Sequence, residues 1–497
     1  MKQPFKLSVL ALSLGLMPAI AMADTNADIL KELQALQAKV QQLEAQVKTQ
    51  QSQIDDTQKA TTEATQVANH ADVQISGIKQ ASEGSGLKGL TITGMIAPAY
   101  VYNQDQQASS FVFLNRSNGN PAAYSLYNYD NSYFGGAYIQ FKKKTSGGVD
   151  WNLTLAPDRG AGSVFNGSSI VHEASVAIPV NNDTKVIAGQ IPDWEGYEST
   201  WDNQTKTITH NLLFDFTEVT AYTGVGIDQT VGNWEWKSMI ANVNSPRYYY
   251  GGSGGRAPAL VFRADYSVPG YDNADIGFWG LVGKLPNSNV ALDPNNPGSA
   301  LLINAGNPAD PTLLATVPLS ATGTSTAQMF EVDGYLTKGN WGYYGQAGIG
   351  QQALAAYNGG KARWWGLSGL LTYNFTPRFL GLIRADYMNN STNGGGLPGG
   401  YMNSSTAGSS TGFNGVNGFG PGYVYDPVAG AWSVTDPNKG ANRYALTLGW
   451  NYLLTQSTTL KMEYRYDRSS LATFYNVSDG SYKNSNNLLA ASVVVSF

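Results

Sequence analysis

The sequence predicts an all-β fold: a transmembrane antiparallel β-barrel of about 16 strands, preceded by an N-terminal periplasmic α-helical coiled coil. Composition is the first observation. Charged residues make up 13% of the chain, against about 25% in ordinary soluble domains, while aromatic residues reach 11% and glycine occurs 56 times. The second is strand-period alternation of apolar and polar residues from Leu90 to Phe497. The third is that short and long connections between these stretches follow one another in turn.

Residues 1–23 have the features of a secretory signal peptide. Lys2 and Lys6 precede the apolar stretch Leu7–Met17, and Ala21-Met22-Ala23 offers an A-x-A cleavage site. We therefore expect cleavage after Ala23. The chain contains no cysteine, so neither a lipid-anchored N-terminal cysteine nor a disulfide framework is expected.

Residues 24–57 are predicted to form a coiled coil, because apolar residues recur at heptad positions a and d. The seam residues are Leu33, Leu36, Val40, Leu43 and Val47. A single amphipathic helix lying against the barrel is the alternative. Residues 58–88 are rich in Thr, Ala, Gln and Ser and are interpreted as a polar linker.

Residues 89–497 are predicted to form the barrel, with both ends of the chain on the side of the short turns. Bacterial barrels have an even number of strands, short periplasmic turns and long extracellular loops. The short connections contain Lys143–Gly148, Pro179–Asp183, Val231–Gly232, Val268–Asn273, Lys338–Asn340, Asn374–Pro377 and Leu454–Thr458. The long ones include Asn103–Asn131, Ala156–Ser168, Ile191–Thr217, Asn244–Pro258, Leu285–Ser325, Gln351–Lys361, Asn390–Asn442 and Ser469–Asn486.

The two faces of the strands agree with a lipid-facing exterior and a wet interior. In Arg443–Leu453 every second residue is apolar, beginning at Tyr444, and the opposite face carries Arg443, Thr447 and Asn451. The last strand alternates from Leu489 to the terminal Phe497. That ending resembles the C-terminal signature by which bacterial outer-membrane barrels are recognised for assembly.

Charged residues spaced two apart share one face of their strands and are predicted to line the pore. The candidates are Lys142, Arg263, Asp265, Glu331, Asp333, Arg384, Asp386, Arg443, Lys461, Glu463, Arg465 and Asp467. Such a set would order polar solutes in a transverse electric field. The alternative is that these residues only keep a wet interior soluble or join neighbouring strands.

The connection Ile191–Thr217 is the candidate constriction loop. It carries Asp193, Glu195, Glu198 and Asp202, together with Trp194, Tyr197 and Trp201. So many aromatic residues favour a loop folded into the barrel, where its carboxylates would face the arginines of the wall. A solvated extracellular loop is the alternative.

Catalysis and metal binding find little support in the sequence. His70, His172 and His210 are scattered, and no G-x-S-x-G or H-E-x-x-H motif accompanies them. We therefore expect neither an enzyme nor a metal site or other cofactor. The net charge of −5 gives no reason to expect nucleic acid as a partner.

The domain layout resembles that of the DcaP-type trimeric porins, which carry a coiled coil before the barrel, and that of a related uncharacterised proteobacterial family. Gly189-Gln190-Ile191, Gly196-Tyr197-Glu198 and Tyr222-Thr223-Gly224-Val225 are similar to motifs of the OmpL-like β-barrel porins. Thr205–Leu213 stands where OmpL-like members often carry an arginine, so a shared solute preference does not follow. The resemblance implies passive uptake through a trimer.

The sequence thus leaves three hypotheses. The first is an outer-membrane diffusion porin for small hydrophilic or charged solutes. We would expect it to be a homotrimer surrounded by lipid, with a coiled coil able to contact peptidoglycan. The second is a binding or adhesion protein that acts through its long loops, Leu285–Ser325 or Asn390–Asn442, and has no open channel. The third is an outer-membrane enzyme dependent on His172 or His210, which the missing motifs disfavour.

Overall fold

The computed structural model describes residues 37–39, 41–51, 88–105, 107–113, 135–156, 170–219, 221–244, 257–271, 273–287, 290–292, 299–303, 314–318, 323–358, 360–398, 419–428, 430–476 and 478–497. The chain divides into two compact units, Met1–Lys88 and Gly89–Phe497.

The first unit is helical where it is described, at residues 37–39 and 41–51. The side chains of Leu43 and Val47 are 54% and 62% exposed in the single chain. The other seam residues Leu33, Leu36 and Val40, the signal peptide, and residues 58–87 of the linker lie outside the described residues. A coiled coil therefore stays a prediction. None of the described helices has the length and apolar character needed to cross a membrane.

The second unit is a closed antiparallel barrel of sixteen strands, in agreement with the sequence. Its described strand segments are β1 Leu90–Ile96, β2 Ala99–Asn103, β3 Ala108–Val112, β4 Ala137–Lys144, β5 Asp150–Leu155, β6 Val171–Pro179, β7 Thr184–Pro192, β8 Ala221–Val231, β9 Trp234–Asn244, β10 Ala259–Ser267, β11 Ala274–Asn287, β15 Gly323–Lys338, β16 Trp341–Gln352, β17 Ala362–Thr376, β18 Phe379–Asn389, β21 Arg443–Thr455, β22 Thr458–Ser469 and β25 Ser485–Ser496. β25 closes the sheet by pairing with β22 on one side and with β1 and β2 on the other.

The first long connection is where the prediction is wrong. After Asn103 the chain turns at once, and Ala108 pairs with Asn103 to start β3. β3 and β4 together form the second barrel strand, because they pair with β2 and β1 respectively. The chain rejoins the wall through Gly135, whose φ of 70° and approach to the Val112 carbonyl leave no room for a Cβ.

Three of the predicted long loops also contain strands of their own, which the sequence did not reveal. They are β12 Val290–Leu292, β13 Ser299–Ile303 and β14 Leu314–Pro318 in one sheet, β19 Tyr423–Asp426 with β20 Ala431–Val434, and β23 Phe474–Asn476 with β24 Ser481–Lys483. These small sheets lie outside the barrel sheet in hydrogen bonding. The described parts of these loops therefore contain strands that the sequence did not predict.

The outer face is apolar and exposed, as alternation predicts. Aromatic rings meet between neighbouring strands near the short turns, with centroids 4.7 Å apart for Trp234 and Tyr266 and 4.6 Å for Trp341 and Tyr373. Such belts are typical of barrels at the boundary between lipid and water. The aromatic ring of Phe497 lies over Gly94 of the first strand, where a Cβ would come within 2.6 Å of it.

The inner face differs from a uniformly wet lumen. In the half of the barrel near the long loops, inward residues of β9, β10, β11 and β17 form an apolar core, which includes Met239, Val261, Leu281 and Trp364. These side chains are at most 3% exposed. Part of the barrel interior is therefore packed with apolar side chains.

Candidate functional site

The candidate site is the inner segment, residues 193–219, which connects β7 to β8. It contacts the interior wall on many sides. Arg263 of β10 donates to the Trp194 carbonyl at 2.5 Å, and Asn203 donates to the Tyr138 hydroxyl of β4 at 3.1 Å. Asn451 of β21 donates to the Lys206 carbonyl at 2.8 Å. The inner segment therefore lies against inward-facing side chains of the barrel wall.

A short helix, Leu212–Phe216, forms the end of the inner segment. Asn211 caps it by accepting from the amides of Leu213 and Phe214, and its side-chain amide donates to Gln346 of β16 at 2.8 Å. The Leu213 side chain lies so close to Gly366 that a Cβ there would stand 2.8 Å from it. The helix thus joins the apolar core, and the wall carries glycine where the helix approaches it.

Arg384 of β18 is fully buried and ties the inner segment to the wall. Its guanidinium donates to Glu198 at 2.9 Å and to Asp386 at 3.1 Å. It also donates to the Thr209 carbonyl at 2.7 Å and to the His210 carbonyl at 2.8 Å. The planar guanidinium of Arg384 presents several N–H donors in fixed directions, so it can reach all of these acceptors. A lysine ammonium at this position would form fewer of these hydrogen bonds.

β22 holds the middle of the inner segment through two charged side chains. Lys461 donates to the carbonyls of Asp202 at 2.5 Å, Thr205 at 3.0 Å and Thr207 at 3.2 Å. Glu463 accepts from the Ile208 amide at 2.6 Å and from the amide and hydroxyl of Thr209. Lys461 and Glu463 therefore form hydrogen bonds with backbone groups of the inner segment that are not paired in a β-sheet.

Arg443 and Arg465 share Asp467 at the long-loop end of the site. Asp467 accepts from Arg443 at 2.7 Å and from Arg465 at 3.1 Å, and Arg465 lies 3.9 Å from Asp215 of the inner segment. The Arg443 guanidinium also lies 5.0 to 5.6 Å from the rings of Phe216, Phe419 and Phe474. One side chain thus joins the inner segment to two long-loop regions.

Carboxylates of the inner segment lie close together beside β15 and β16. Glu195 accepts from the Val219 amide at 3.0 Å, and Glu218 accepts from Gln346 at 2.7 Å. Burial raises the pKa of both carboxyls well above the ordinary value, and the charge of Glu331 on β15 raises it further. Burial also raises the pKa of Glu198 to about 7, although Arg384 opposes the shift.

All twelve predicted pore-lining side chains lie on inward positions of the register, but their exposure differs. Lys142 is exposed, and Arg263 and Asp265 are partly exposed. The other nine are buried against the inner segment or the loops: Glu331, Asp333, Arg384, Asp386, Arg443, Lys461, Glu463, Arg465 and Asp467. Among the constriction-loop candidates, Glu195, Glu198 and Asp202 are buried and Asp193 is partly exposed. A pore-lining role stays a prediction for each of them.

Sequence reasoning missed two groups of residues. Thr205, Thr207 and Thr209 supply hydroxyls and carbonyls to Arg384, Lys461 and Glu463. Their spacing of two was the signal, because it places three polar groups on one side of an extended segment. Inward lysines near the short turns form the second group: Lys144, Lys185 and Lys237. Continuing the alternation from Lys142 would have identified Lys144.

The histidines belong to the packing of the inner segment. The His210 ring stacks on Phe214 with centroids 3.9 Å apart, and His172 lies 4.9 Å from the ring of Trp201. His70 lies outside the described residues. Within the part of the chain that the structure describes, no group of three or more His, Asp or Glu side chains is arranged to hold a metal ion.

Comparisons with known proteins give one family and several similar structures. A family model described as "Protein of unknown function (DUF3138)" matches residues 52–497. No curated protein matches the sequence. An anion-selective porin from Comamonas acidovorans is 8% identical, with 82% of this chain and 99% of that chain covered at a TM-score of 0.48. The outer membrane channel DcaP of Acinetobacter baumannii is 11% identical, with 82% and 97% covered at 0.45.

Proposed function

We propose that this chain, which belongs to the family of proteins of unknown function DUF3138, is an outer-membrane porin. It would let small hydrophilic or charged solutes diffuse passively, with the inner segment as its constriction. A closed barrel of this size has room for an aqueous lumen. The exposed apolar exterior and its aromatic belt support a membrane location.

The inner segment carries this proposal. A structural loop has no need to cross the interior, yet this one meets charged side chains on β10, β18 and β22. On the short-turn side of the inner segment the inward face keeps charged groups in contact with water. The side chains of Lys185 and Asp150 are 43% and 30% exposed, and Lys142 and Lys144 are exposed. This polar vestibule supports the proposal, in which solutes would pass from it through a narrow charged passage beside the inner segment.

We further propose that the chain assembles as a homotrimer in the outer membrane, with its N-terminal helix in the periplasm. The helix at residues 41–51 with its exposed Leu43 and Val47 supports a contact with another helix. Contact of that region with peptidoglycan is part of the same proposal. Deletion of Asn26–Gly86 tests assembly: a truncated barrel that keeps the mass and thermal stability of a trimer would show that the helix serves something else.

Conductance across a planar lipid bilayer tests the channel itself. We expect the purified full-length protein to insert and to conduct in discrete steps without an energy source. If correctly folded protein conducts nothing, the channel proposal fails. The extracellular loops would then be the place to look for a binding function.

A further inference from the structure

Two neighbouring rows of side chains on the outer face of β15, β16 and β17 differ sharply in polarity. The register aligns Gln328 with Gln351 and Gln351 with Arg363, which makes a polar row at the long-loop end. The next outward row, two residues along each strand, aligns Phe330, Ile349 and Trp365. Two residues of strand span about 7 Å, so the surface changes from polar to apolar within one side-chain row.

Exposure confirms that both rows face outward. Phe330, Ile349 and Trp365 are 45%, 60% and 41% exposed, whereas the intervening Met329 and Trp364 are both 3% exposed and belong to the interior core. Arg363 is exposed as well. These residues therefore meet the surroundings of the barrel and not its lumen.

A groove of about 520 Å³ lies where the two rows meet. Asn389 and Thr392 line it together with residues of both rows. Gln351 donates to Gln328 at 2.7 Å, so the two amides hold each other in place. Arg363 has no ion-pair partner among the residues that the structure describes, which leaves a fixed positive charge at the polar edge of an apolar groove.

Below the groove the outer wall is shallow. Gly334 pairs with Gly345, Gly345 with Gly369, and Gly369 with Ala385, so four small residues form one outward row across four strands. A Cβ built at Gly369 would meet no atom within 4 Å. One further outward row, Val332, Ala347 and Leu367, separates the apolar row from this furrow, and its middle residue is the small Ala347.

We propose that this groove and furrow bind one membrane lipid with a phosphate headgroup, in the leaflet at the long-loop end. Arg363 and the two glutamine amides would hold the phosphate, because a guanidinium pairs with phosphate through parallel donors. One acyl chain would pass over Ile349, between Phe330 and Trp365, and then over Ala347 into the furrow. A positive charge at the polar edge of an exposed apolar groove is complementary in charge and polarity to a lipid with a phosphate headgroup.

Native mass spectrometry of the full-length protein in detergent tests the proposal, with lipid A as the probe. We expect one tightly held lipid A per chain in the wild type and about tenfold weaker binding in Arg363→Gln. Arg378→Gln is the matched control, since Arg378 is an exposed arginine at the other end of the same strand pair. It should bind lipid A like the wild type. Gly369→Leu fills the furrow while Arg363 stays, and should also weaken binding.

Three results would overturn the proposal. The first is equal binding by the Arg363→Gln and Arg378→Gln variants. The second is displacement of lipid A by millimolar inorganic phosphate, which would show that the phosphate group alone accounts for binding. Equally tight binding of dephosphorylated lipid A would overturn the proposal too, because it would show that Arg363 does not recognise the phosphate. The third is a lipid-free oligomer of the wild type that Ile349→Asn dissociates, which would make the groove an interface between copies of the chain. Unchanged circular dichroism and heat-modifiable migration show that each variant has folded.

Discussion

At the scale of single residues, Arg384 has the largest share in holding the inner segment. Its side chain is 0% exposed and donates to Glu198, Asp386, Thr207, Thr209 and His210. Because the side chain is fully buried, bulk solvent does not contact the guanidinium. Removal of the guanidinium would leave two buried carboxylates without their cation.

Arg384→Gln is therefore expected to lower the stability of the folded barrel by about 3 to 5 kcal/mol, the usual cost of breaking a buried ion pair on one side. Thermal unfolding followed by loss of β-sheet circular dichroism measures it. Arg378→Gln removes an exposed arginine and should change stability by about 0.5 kcal/mol or less. Equal melting temperatures for the two variants would show that Arg384 does not anchor the inner segment.

Glu198 gives the site a dependence on pH. Burial raises the pKa of Glu198 to about 7 from its ordinary value of 4.5, against the lowering effects of Arg384 and the Asn211 amide. Because the folded-state pKa is the higher one, the contribution of Glu198 to stability is fully present below about pH 4.5. It is lost as the pH rises to about 7.

Comparison of Glu198→Gln with the wild type isolates this effect from the other carboxyls. The variant cannot ionise, so its melting temperature relative to the wild type should rise between pH 5 and pH 7.5. Asp386, Arg384 and the neighbouring threonines are the same in both proteins. A difference in melting temperature that stays constant over this range would contradict the raised pKa.

At the scale of elements, the sequence predicts strands well wherever the alternation is unbroken. Arg443–Thr455 and Thr458–Ser469 have the predicted faces, because lipid outside and charge inside impose period two. The second barrel strand could not be predicted as it is. The chain interrupts it between Val112 and Ala137, so neither half shows a long enough pattern.

The inner segment shows a similar limit. Its carboxylates and aromatic residues identified it, but the helix Leu212–Phe216 has five residues and is too short for a helical period to show. The apolar interior of β9 to β11 was hidden for another reason. Residues such as Trp279 and Leu281 alternate with outward apolar residues, so the strand is apolar on both faces and gives no sign of which one packs inside.

β4 offers a direct test of which face meets the conducting path. Lys142 and Lys144 point inward and are exposed, while Lys143 between them points outward. Lys142→Gln with Lys144→Gln should shift the reversal potential in a salt gradient towards cation selectivity, because positive charge leaves the lumen. Lys143→Gln removes the same charge from the outer face and should leave the reversal potential unchanged. The opposite result would exclude a conducting path along this part of the wall.

At the scale of the whole molecule, a barrel wall made of hydrogen-bonded strands encloses a segment that the wall does not need for closure. β25 pairs with β22 and with β1 and β2, so the cylinder is complete without the inner segment. The ends of that segment lie close together, since Glu195 accepts from the Val219 amide at 3.0 Å. The inner segment can therefore be excised without straining the wall.

Single-channel conductance of the wild type and of a variant with residues 196–218 replaced by a short Gly-Ser linker tests the central claim most directly. If the inner segment is the constriction of a diffusion channel, the wild type conducts in small steps and the excised variant in steps several-fold larger, with weaker ion selectivity. Equal step sizes in two correctly folded proteins would contradict that claim. The absence of conductance in both proteins would contradict the proposal that the barrel is a channel.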